Sequence, residues 1–171
     1  MLEQWHYGCL FCRSTAETTT AGRISRMHPD VETAVPSRIR RKHVNGVKIE
    51  DRVPLLPGYI FFRAQDIASP VQLSRISNVW RLLEYDNHTW ELNGRDRDFA
   101  EVLFDNEELQ TPNATFVDGR LHFVDGFLYG HDDAVTRVNR RKQTAEIQLE
   151  VNRLTFWIGY IEIDGNETGA L

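Results

Sequence analysis

The sequence has few cysteines, no long apolar run and no segment typical of secretion. Only 2 of its 171 residues are cysteine, too few for the disulfide framework of a small secreted protein. No apolar run approaches the roughly 20 residues that a membrane helix needs. The first residues, MLEQWHYG, lack the basic and apolar parts of a signal peptide. We therefore expect a cytoplasmic protein that makes no membrane contact.

Motifs that carry chemistry are equally scarce. Cys9 and Cys12 have CxxC spacing, but residues three apart on a strand point to opposite faces, so we interpret both as structural. The 6 histidines form no HxxxH or HxH pair. The sequence has no GxSxG, phosphate loop or GxGxxG. We predict no catalytic residue, no metal ligand and no cofactor, and we do not expect an enzyme.

Charge is present but unevenly distributed. The chain is 41% hydrophobic and 26% charged, which is typical of a globular protein, and its net charge is −5. Residues 1–63 nevertheless carry 10 Lys and Arg against 6 Asp and Glu, whereas residues 64–113 carry 4 against 10. A locally basic region attracts polyanions whatever the net charge. Nucleic acid therefore remains a possible partner of the first third.

Hydrophobic periodicity predicts an α+β chain with the order βαβββαβα, followed by about five short strands. Ser14 and Glu17 have capping-box spacing and predict a helix from about Thr15 to Met27. Asn45-Gly46 predicts a hairpin between a basic arm, residues 37–43, and residues 47–53. Ser69-Pro70 predicts a short helix to about Ile76, and an apolar stripe predicts a charged helix over residues 95–109.

These elements suggest two domains. Residues 1–110 are typical of a ferredoxin-like split βαβ sheet backed by helices. Residues 111–116 are predicted to be a linker, because Pro112 and small polar residues stand where the helical period gives way to a strand period. Residues 117–171 are too few for a sandwich and suit a small SH3-like β-barrel.

Two groups of residues are candidates for binding. The densest basic cluster consists of Arg38, Arg40, Arg41 and Lys42, and Arg13, Arg23 and Arg26 precede it. If the sheet brings them together they form a surface for a polyanion; the alternative is a solvated hairpin arm. Leu56, Tyr59 and Phe61 form the other group. If helices cover only one face of the sheet, Tyr59 and Phe61 lie on a partly exposed aromatic face, typical of a protein interface.

Several segments resemble the NusG family of bacterial transcription elongation factors. They are Trp5-His6, Ala34-Val-Pro-Ser-Arg38 and, above all, Pro54-Leu-Leu-Pro-Gly-Tyr-Ile-Phe-Phe62. Residues 76–83 are also similar, and residues 117–164 resemble the KOW domain of that family. The resemblance implies an N-terminal NusG-type (NGN) domain followed by a KOW barrel. His6 and Asp133 depart from the family pattern, which points to a specialised paralogue of LoaP-like or RfaH-like type.

The resemblance also implies a function. Members of the family bind the clamp helices of RNA polymerase, suppress pausing or termination, and touch non-template DNA or nascent RNA. Leu56, Tyr59 and Phe61 match polymerase-contacting positions, Arg13 falls in a loop that faces nucleic acid, and Arg23 and Arg26 correspond by helix location only. The KOW domain would recruit a ribosomal protein or a termination factor, and a monomer is expected. The alternative is a KOW-bearing RNA- or ribosome-binding module without polymerase contact.

Overall fold

The computed structural model describes residues 4–66, 69–106 and 109–164. The chain divides into two units, an N-terminal unit of residues 1–108 and a C-terminal unit of residues 109–171. No helix in the described residues is both long and apolar enough to cross a membrane.

In its described residues the N-terminal unit contains six strands, two α-helices and one 3₁₀ helix, Pro70–Arg75. This 3₁₀ helix begins where Ser69 Oγ accepts from the Val71 N–H. The α-helices are α1 (Glu17–Met27) and α2 (Gly94–Asp105). The strands are β1 (His6–Cys12), β2 (Glu32–Ala34), β3 (Ser37–Val44), β4 (Val47–Pro54), β5 (Tyr59–Ala64) and β6 (Val79–Leu82).

Four of the strands form an antiparallel sheet in the order β2-β5-β1-β6. In its centre Cys9 lies opposite Phe61 and Phe11 lies opposite Tyr59. Because side chains alternate along a strand, Tyr7, Cys9 and Phe11 share one face of the sheet with Tyr59 and Phe61. We call this the α2 face, and the opposite one the α1 face.

The α1 face is covered by a continuous core. Leu10, Ile60 and Phe62 from the sheet pack there with Ile24 of α1 and Leu73 of the 3₁₀ helix. Gly8 lies opposite Phe62 in the ladder, and a Cβ at Gly8 would come within 2.2 Å of the Phe62 ring. The ring therefore occupies the space that a side chain at position 8 would need.

The α2 face is covered as well, contrary to the expectation that helices lie on one face only. Phe99 of α2 contacts Phe61 edge to face, with 5.5 Å between ring centroids, and Phe104 lies 5.9 Å from Tyr7. Asp96 of the same helix is buried and accepts from the Tyr85 hydroxyl at 2.6 Å. Among the apolar residues of α2 only Phe99 and Ala100 are fully buried. Most of the helix is polar, and its packing against the second face of the sheet was therefore not evident from the sequence.

The predicted hairpin is confirmed. β3 and β4 pair from Ser37↔Pro54 to Val44↔Val47, and the turn is Asn45-Gly46, with both residues at positive φ. The helix start at Thr15 is wrong: α1 begins at Glu17, and Ser14 makes no capping bond to it. The Glu17 carboxylate is instead buried and accepts from the Thr15 N–H at 3.1 Å.

The described residues of the C-terminal unit form two three-stranded sheets, in the orders β12-β7-β8 and β11-β10-β9, and two 3₁₀ helices, Asp132–Ala134 and Val151–Arg153. Its strands are β7 (Asn113–Val117), β8 (Arg120–Phe123), β9 (Val135–Asn139), β10 (Thr144–Gln148), β11 (Thr155–Gly159) and β12 (Ile161–Glu162). The linker predicted at 111–116 is wrong in its last four residues: residues 113–116 belong to β7, and Ala114 is fully buried.

Candidate functional site

Three aromatic side chains meet at one end of the α2 face, beyond the part that α2 covers. Phe11 lies 5.1 Å from Tyr59 and 5.1 Å from Trp80, measured between ring centroids. Phe11 and Tyr59 are half-buried, and Trp80 is 61% exposed. We call Phe11, Tyr59 and Trp80 the aromatic patch.

Strand register explains why these residues meet. Phe11 is paired with Tyr59 on one side and with Arg81 on the other, and the ladder to β6 is irregular between Phe11 and Cys12. Trp80 lies at this irregularity, where its ring meets Phe11 at 72°. The Arg81 guanidinium lies 5.8 Å from the Phe11 ring centroid, so a cation borders the patch.

The turn that leads into Tyr59 is held from two directions. Gly58 has φ +89, a conformation that other residues adopt with strain. A Cβ there would also lie 3.0 Å from the Phe11 ring. The Gly58 carbonyl accepts from the Cys12 N–H at 2.7 Å, and its own N–H donates to Glu17 Oε1 at 2.8 Å. Glu17 thus fixes the turn from α1, although the sequence indicated only a capping role for it.

The expectation of a partly exposed aromatic face is wrong for Phe61, and Leu56, the third candidate for polymerase binding, is also buried. Leu56 is 3% exposed and Phe61 is 0% exposed. Phe61 points into the contact with Phe99. Neither side chain presents a surface to a partner in this arrangement, and of the three only Tyr59 does so in part.

Phe11 and Trp80 are the members of the patch that sequence reasoning missed. Because side chains alternate along a strand, Phe11 shares a face with Trp5 and Tyr7 if this segment is a strand. The antiparallel pairing of β1 with β5 then brings Phe11 opposite Tyr59. For Phe11 the signal was present in the sequence. Trp80 gave none, since its position depends on the irregular pairing of β6.

Arg13 and Arg23 lie near one turn of the N-terminal unit. The Arg13 N–H donates to the Asn78 carbonyl at 2.9 Å, and Arg23 Nη1 donates to the Ser77 carbonyl at 3.3 Å. This turn immediately precedes β6 and Trp80. Arg26 is exposed in the last turn of α1, and no contact links it to that turn. The structure therefore brings two of these three arginines to the turn at residues 77–78.

The basic arm is β3 of the hairpin. Arg38 and Lys42 are exposed, and the side chains of Arg40 and Arg41 lie outside the described parts of the chain. Lys42 Nζ forms an ion pair with Asp51 Oδ2 at 2.6 Å, so part of the charge is neutralised locally. Residues 37–54 still carry 6 Lys and Arg against 2 Asp and Glu. The described contacts do not join this arm to Arg13 or Arg23.

Cys9 and Cys12 are buried free thiols. Burial raises the pKa of Cys9 well above its usual value, with the Asp96 charge adding to the effect. Burial, and then Glu17, raise the pKa of Cys12 to about 11. Thiols in this state are poor nucleophiles at neutral pH. Within the described ranges no three His, Cys, Asp or Glu side chains are grouped so as to hold a metal ion.

Comparison with known proteins gives a similarity of fold. The chain is similar to a structure of NusG from Thermotoga maritima concerned with domain interaction, at a TM-score of 0.54 and 12% identity. The match covers 92% of this chain and 94% of that one. No model of a known protein family matches the sequence, and no curated protein does. The mixed α and β architecture, with few helices and several antiparallel sheets, is therefore NusG-like in fold.

Proposed function

We propose that the protein is a bacterial transcription elongation or antitermination factor that binds the clamp helices of RNA polymerase through its N-terminal unit. The observation that carries this proposal is the aromatic patch, an exposed apolar surface on a NusG-like fold. Contiguous exposed aromatic residues are typical of protein interfaces, where tyrosine and tryptophan contribute most of the binding energy. Tyr59 is also the residue that corresponds to a polymerase-contacting position in the family resemblance.

The aromatic patch combines apolar rings with a bordering positive charge, as protein interfaces commonly do. Its rings are packed against one another rather than free, so little side-chain entropy is lost when a partner covers them. The Arg81 guanidinium adds a positive charge at its border. A partner surface with an apolar centre and acidic margin would be complementary to it.

The affinity of the full chain for purified bacterial RNA polymerase tests the proposal. Tyr59→Ala and Trp80→Ala should each weaken binding about thirty-fold, which corresponds to the ~2 kcal/mol typical of an interface aromatic. Trp157→Ala is the control, because Trp157 is an exposed tryptophan of the C-terminal unit. Full affinity in both patch variants would refute the proposed contact. Binding of RNA or ribosomes without polymerase would favour the alternative, a KOW-bearing RNA- or ribosome-binding module.

We propose in addition that the basic arm contacts non-template DNA or nascent RNA in the elongation complex. Changing Arg38, Arg40 and Arg41 to Glu should weaken binding to a transcription scaffold. Each lost phosphate contact should lower the slope of log affinity against log salt by roughly 0.7–0.9. Changing Arg141, Lys142 and Arg153 to Glu alters the net charge equally in the C-terminal unit and serves as control. Equal effects of the two triple variants would identify a non-specific charge effect.

We propose that the C-terminal unit is a KOW domain that recruits a ribosomal protein or a termination factor. The whole chain would then be a specialised paralogue of LoaP-like or RfaH-like type. The activity itself is measured by transcription in vitro on a template with a pause site and a terminator. The wild-type protein should reduce pausing or increase read-through of the terminator, and Tyr59→Ala should lose this effect. Trp157→Ala should retain it.

A further inference from the structure

The C-terminal unit contains a groove of about 710 Å³ between the β7–β8 hairpin and β9. One wall includes Phe116, Leu121 and His122, and the other includes Asp132, Thr136 and Val138. The walls are mainly strands, and Asp132 belongs to the 3₁₀ helix that directly precedes β9, so main chain borders most of the groove. This distinguishes it from a cavity lined by side chains alone.

Each wall is the edge of a separate sheet. β8 is the last strand of the order β12-β7-β8, and β9 is the last strand of the order β11-β10-β9. In the part of the chain that the structure describes, no ladder joins β8 to β9. A strand edge presents N–H and C=O groups in a row, which is a template for a further strand. Two such edges face the same groove.

The turn geometry identifies the main-chain groups that point into the groove. Asp118 and Gly119 form a two-residue turn, both at positive φ, between the paired residues Val117 and Arg120. Val117 and Arg120 therefore exchange hydrogen bonds within the hairpin, and the next alternate residues, Leu121 and Phe123, direct their main-chain groups away from β7. The Phe123 N–H donates to Asp132 Oδ1 at 3.0 Å, which agrees with this direction. The Leu121 N–H and C=O face the open groove.

The side chains of the groove indicate what kind of strand fits. Val117 is 54% exposed and Val138 is 39% exposed, so two apolar side chains lie uncovered. Arg120 is exposed at the beginning of β8. At the other end of β8, His122 is paired with Asp132. An occupant with alternating apolar residues and an acidic residue near Arg120 would complement these groups.

We propose that this groove binds an extended segment of a partner protein, which adds as a strand between β8 and β9 and joins the two sheets. On β8 the bound strand would pair with Leu121, since the Phe123 N–H already donates to Asp132, and on the other side it would pair along the 5 residues of β9. Strand addition uses main-chain hydrogen bonds for affinity and alternate side chains for specificity. The proposal concerns the C-terminal unit alone and does not depend on the polymerase contact.

Amide hydrogen exchange of the full chain tests the first requirement, that the edges are open. The Leu121 N–H should exchange at least tenfold faster than the Ile147 N–H of β10. The reason is that β10 is paired on both sides, with β9 and β11, whereas β8 is paired on one side only. Equal protection of Leu121 would mean that β8 and β9 pair with each other, and it would overturn the proposal.

Selection from a library of random seven-residue peptides displayed against the full chain tests the second requirement. The selected peptides should alternate apolar and polar residues, include an acidic residue, and slow the exchange of the Leu121 N–H. N-methylation of alternate peptide amides should abolish binding when the methylated amides face β8 or β9. Binding that survives N-methylation at every position, or a selection without enrichment, would overturn strand addition.

Two variants and one nucleic acid locate the binding surface. Val138→Glu should weaken the selected peptide at least tenfold, since it places an anion in the groove. Thr155→Glu makes a similar charge change on an exposed position of β11, away from the groove, and should leave the affinity unchanged. A single-stranded RNA of random sequence should not protect Leu121. Protection by RNA and not by any peptide would assign the groove to nucleic acid instead.

Discussion

The two ends of the α2 face of the N-terminal sheet differ in what covers them. Phe61 and Tyr59 are neighbours on the same face of the same strand, two residues apart. Phe61 is fully buried against Phe99 of α2, whereas Tyr59 is half-buried and packs against Phe11. The comparison shows that the strand fixes which face a side chain occupies. The helix that packs on that face decides whether the side chain serves the core or a surface.

The same contrast extends to the neighbouring strands. At the covered end Tyr7 contacts Phe104, and Arg63 lies between the rings of Trp5 and Phe104 at 4.2 and 4.8 Å from their centroids. At the open end Trp80 remains mostly exposed. One end of the face is thus closed by aromatic and cationic side chains of this chain. The other has an equivalent aromatic set but lacks a comparable cover within the described N-terminal residues.

The largest expected effect comes from truncation at the covered end. Phe61→Ala should lower the free energy of unfolding by about 3–5 kcal/mol, because it leaves a cavity beneath Phe99. Urea unfolding of the full chain measures this, and Phe61→Leu, which keeps most of the volume, should cost much less. A loss below about 1 kcal/mol for Phe61→Ala would mean that α2 does not cover this end in solution.

A smaller effect is expected from the turn that positions the open end. Glu17→Ala should lower the free energy of unfolding by roughly 2 kcal/mol, since it leaves the buried Gly58 N–H without its charged acceptor. Glu17→Gln keeps an acceptor oxygen and should cost less. Glu101→Ala is the matched control, because its ion pair with Arg97 is only half-buried and contributes under about 1 kcal/mol. Equal losses for Glu17→Ala and Glu101→Ala would contradict the role of Glu17.

Much of the N-terminal architecture follows from local sequence signals. The Asn45-Gly46 turn, the Ser69-Pro70 helix start and the apolar run within residues 59–63 each depend on neighbouring residues, and the structure has all three elements. These features require no knowledge of distant contacts. They were therefore predictable from propensity and turn chemistry.

The candidate site was predictable only in part, because it depends on tertiary packing. That Tyr59 and Phe61 share a face follows from alternation, but the burial of Phe61 depends on α2, about forty residues away in the sequence. Likewise, Glu17 has capping-box spacing, yet its carboxylate reaches Gly58 instead. The placement of Trp80 depends on an irregular strand pair. Long-range contacts of this kind leave no periodic signal in the sequence.

At the open end, a small effect on stability is expected. Trp80→Ala should lower the free energy of unfolding by less than about 1 kcal/mol, since the ring is mostly exposed and its loss removes chiefly the contact with Phe11. The same urea experiment used for Phe61→Ala measures it. A loss near that of Phe61→Ala would show that Trp80 is buried in solution and would remove the distinction between the two ends.

The smallest expected effect is a difference in the reactivity of the two cysteines, one near each end of the face. Cys9 lies opposite Phe61 at the covered end, and Cys12 follows Phe11 at the open end of the strand, with its own side chain in the core of the α1 face. Burial raises the pKa of both thiols, that of Cys12 to about 11, so neither should react appreciably with iodoacetamide at pH 8 in the folded protein. Because a raised thiol pKa favours the folded state only while the unfolded thiol is neutral, this contribution is complete below about pH 9 and is lost as the pH rises towards 11.

In a time course analysed by mass spectrometry we expect Cys12 to be labelled before Cys9 as the pH is raised, and both to react at once in urea. Earlier labelling of Cys9 would show that the end beneath α2 opens first, and would reverse the comparison.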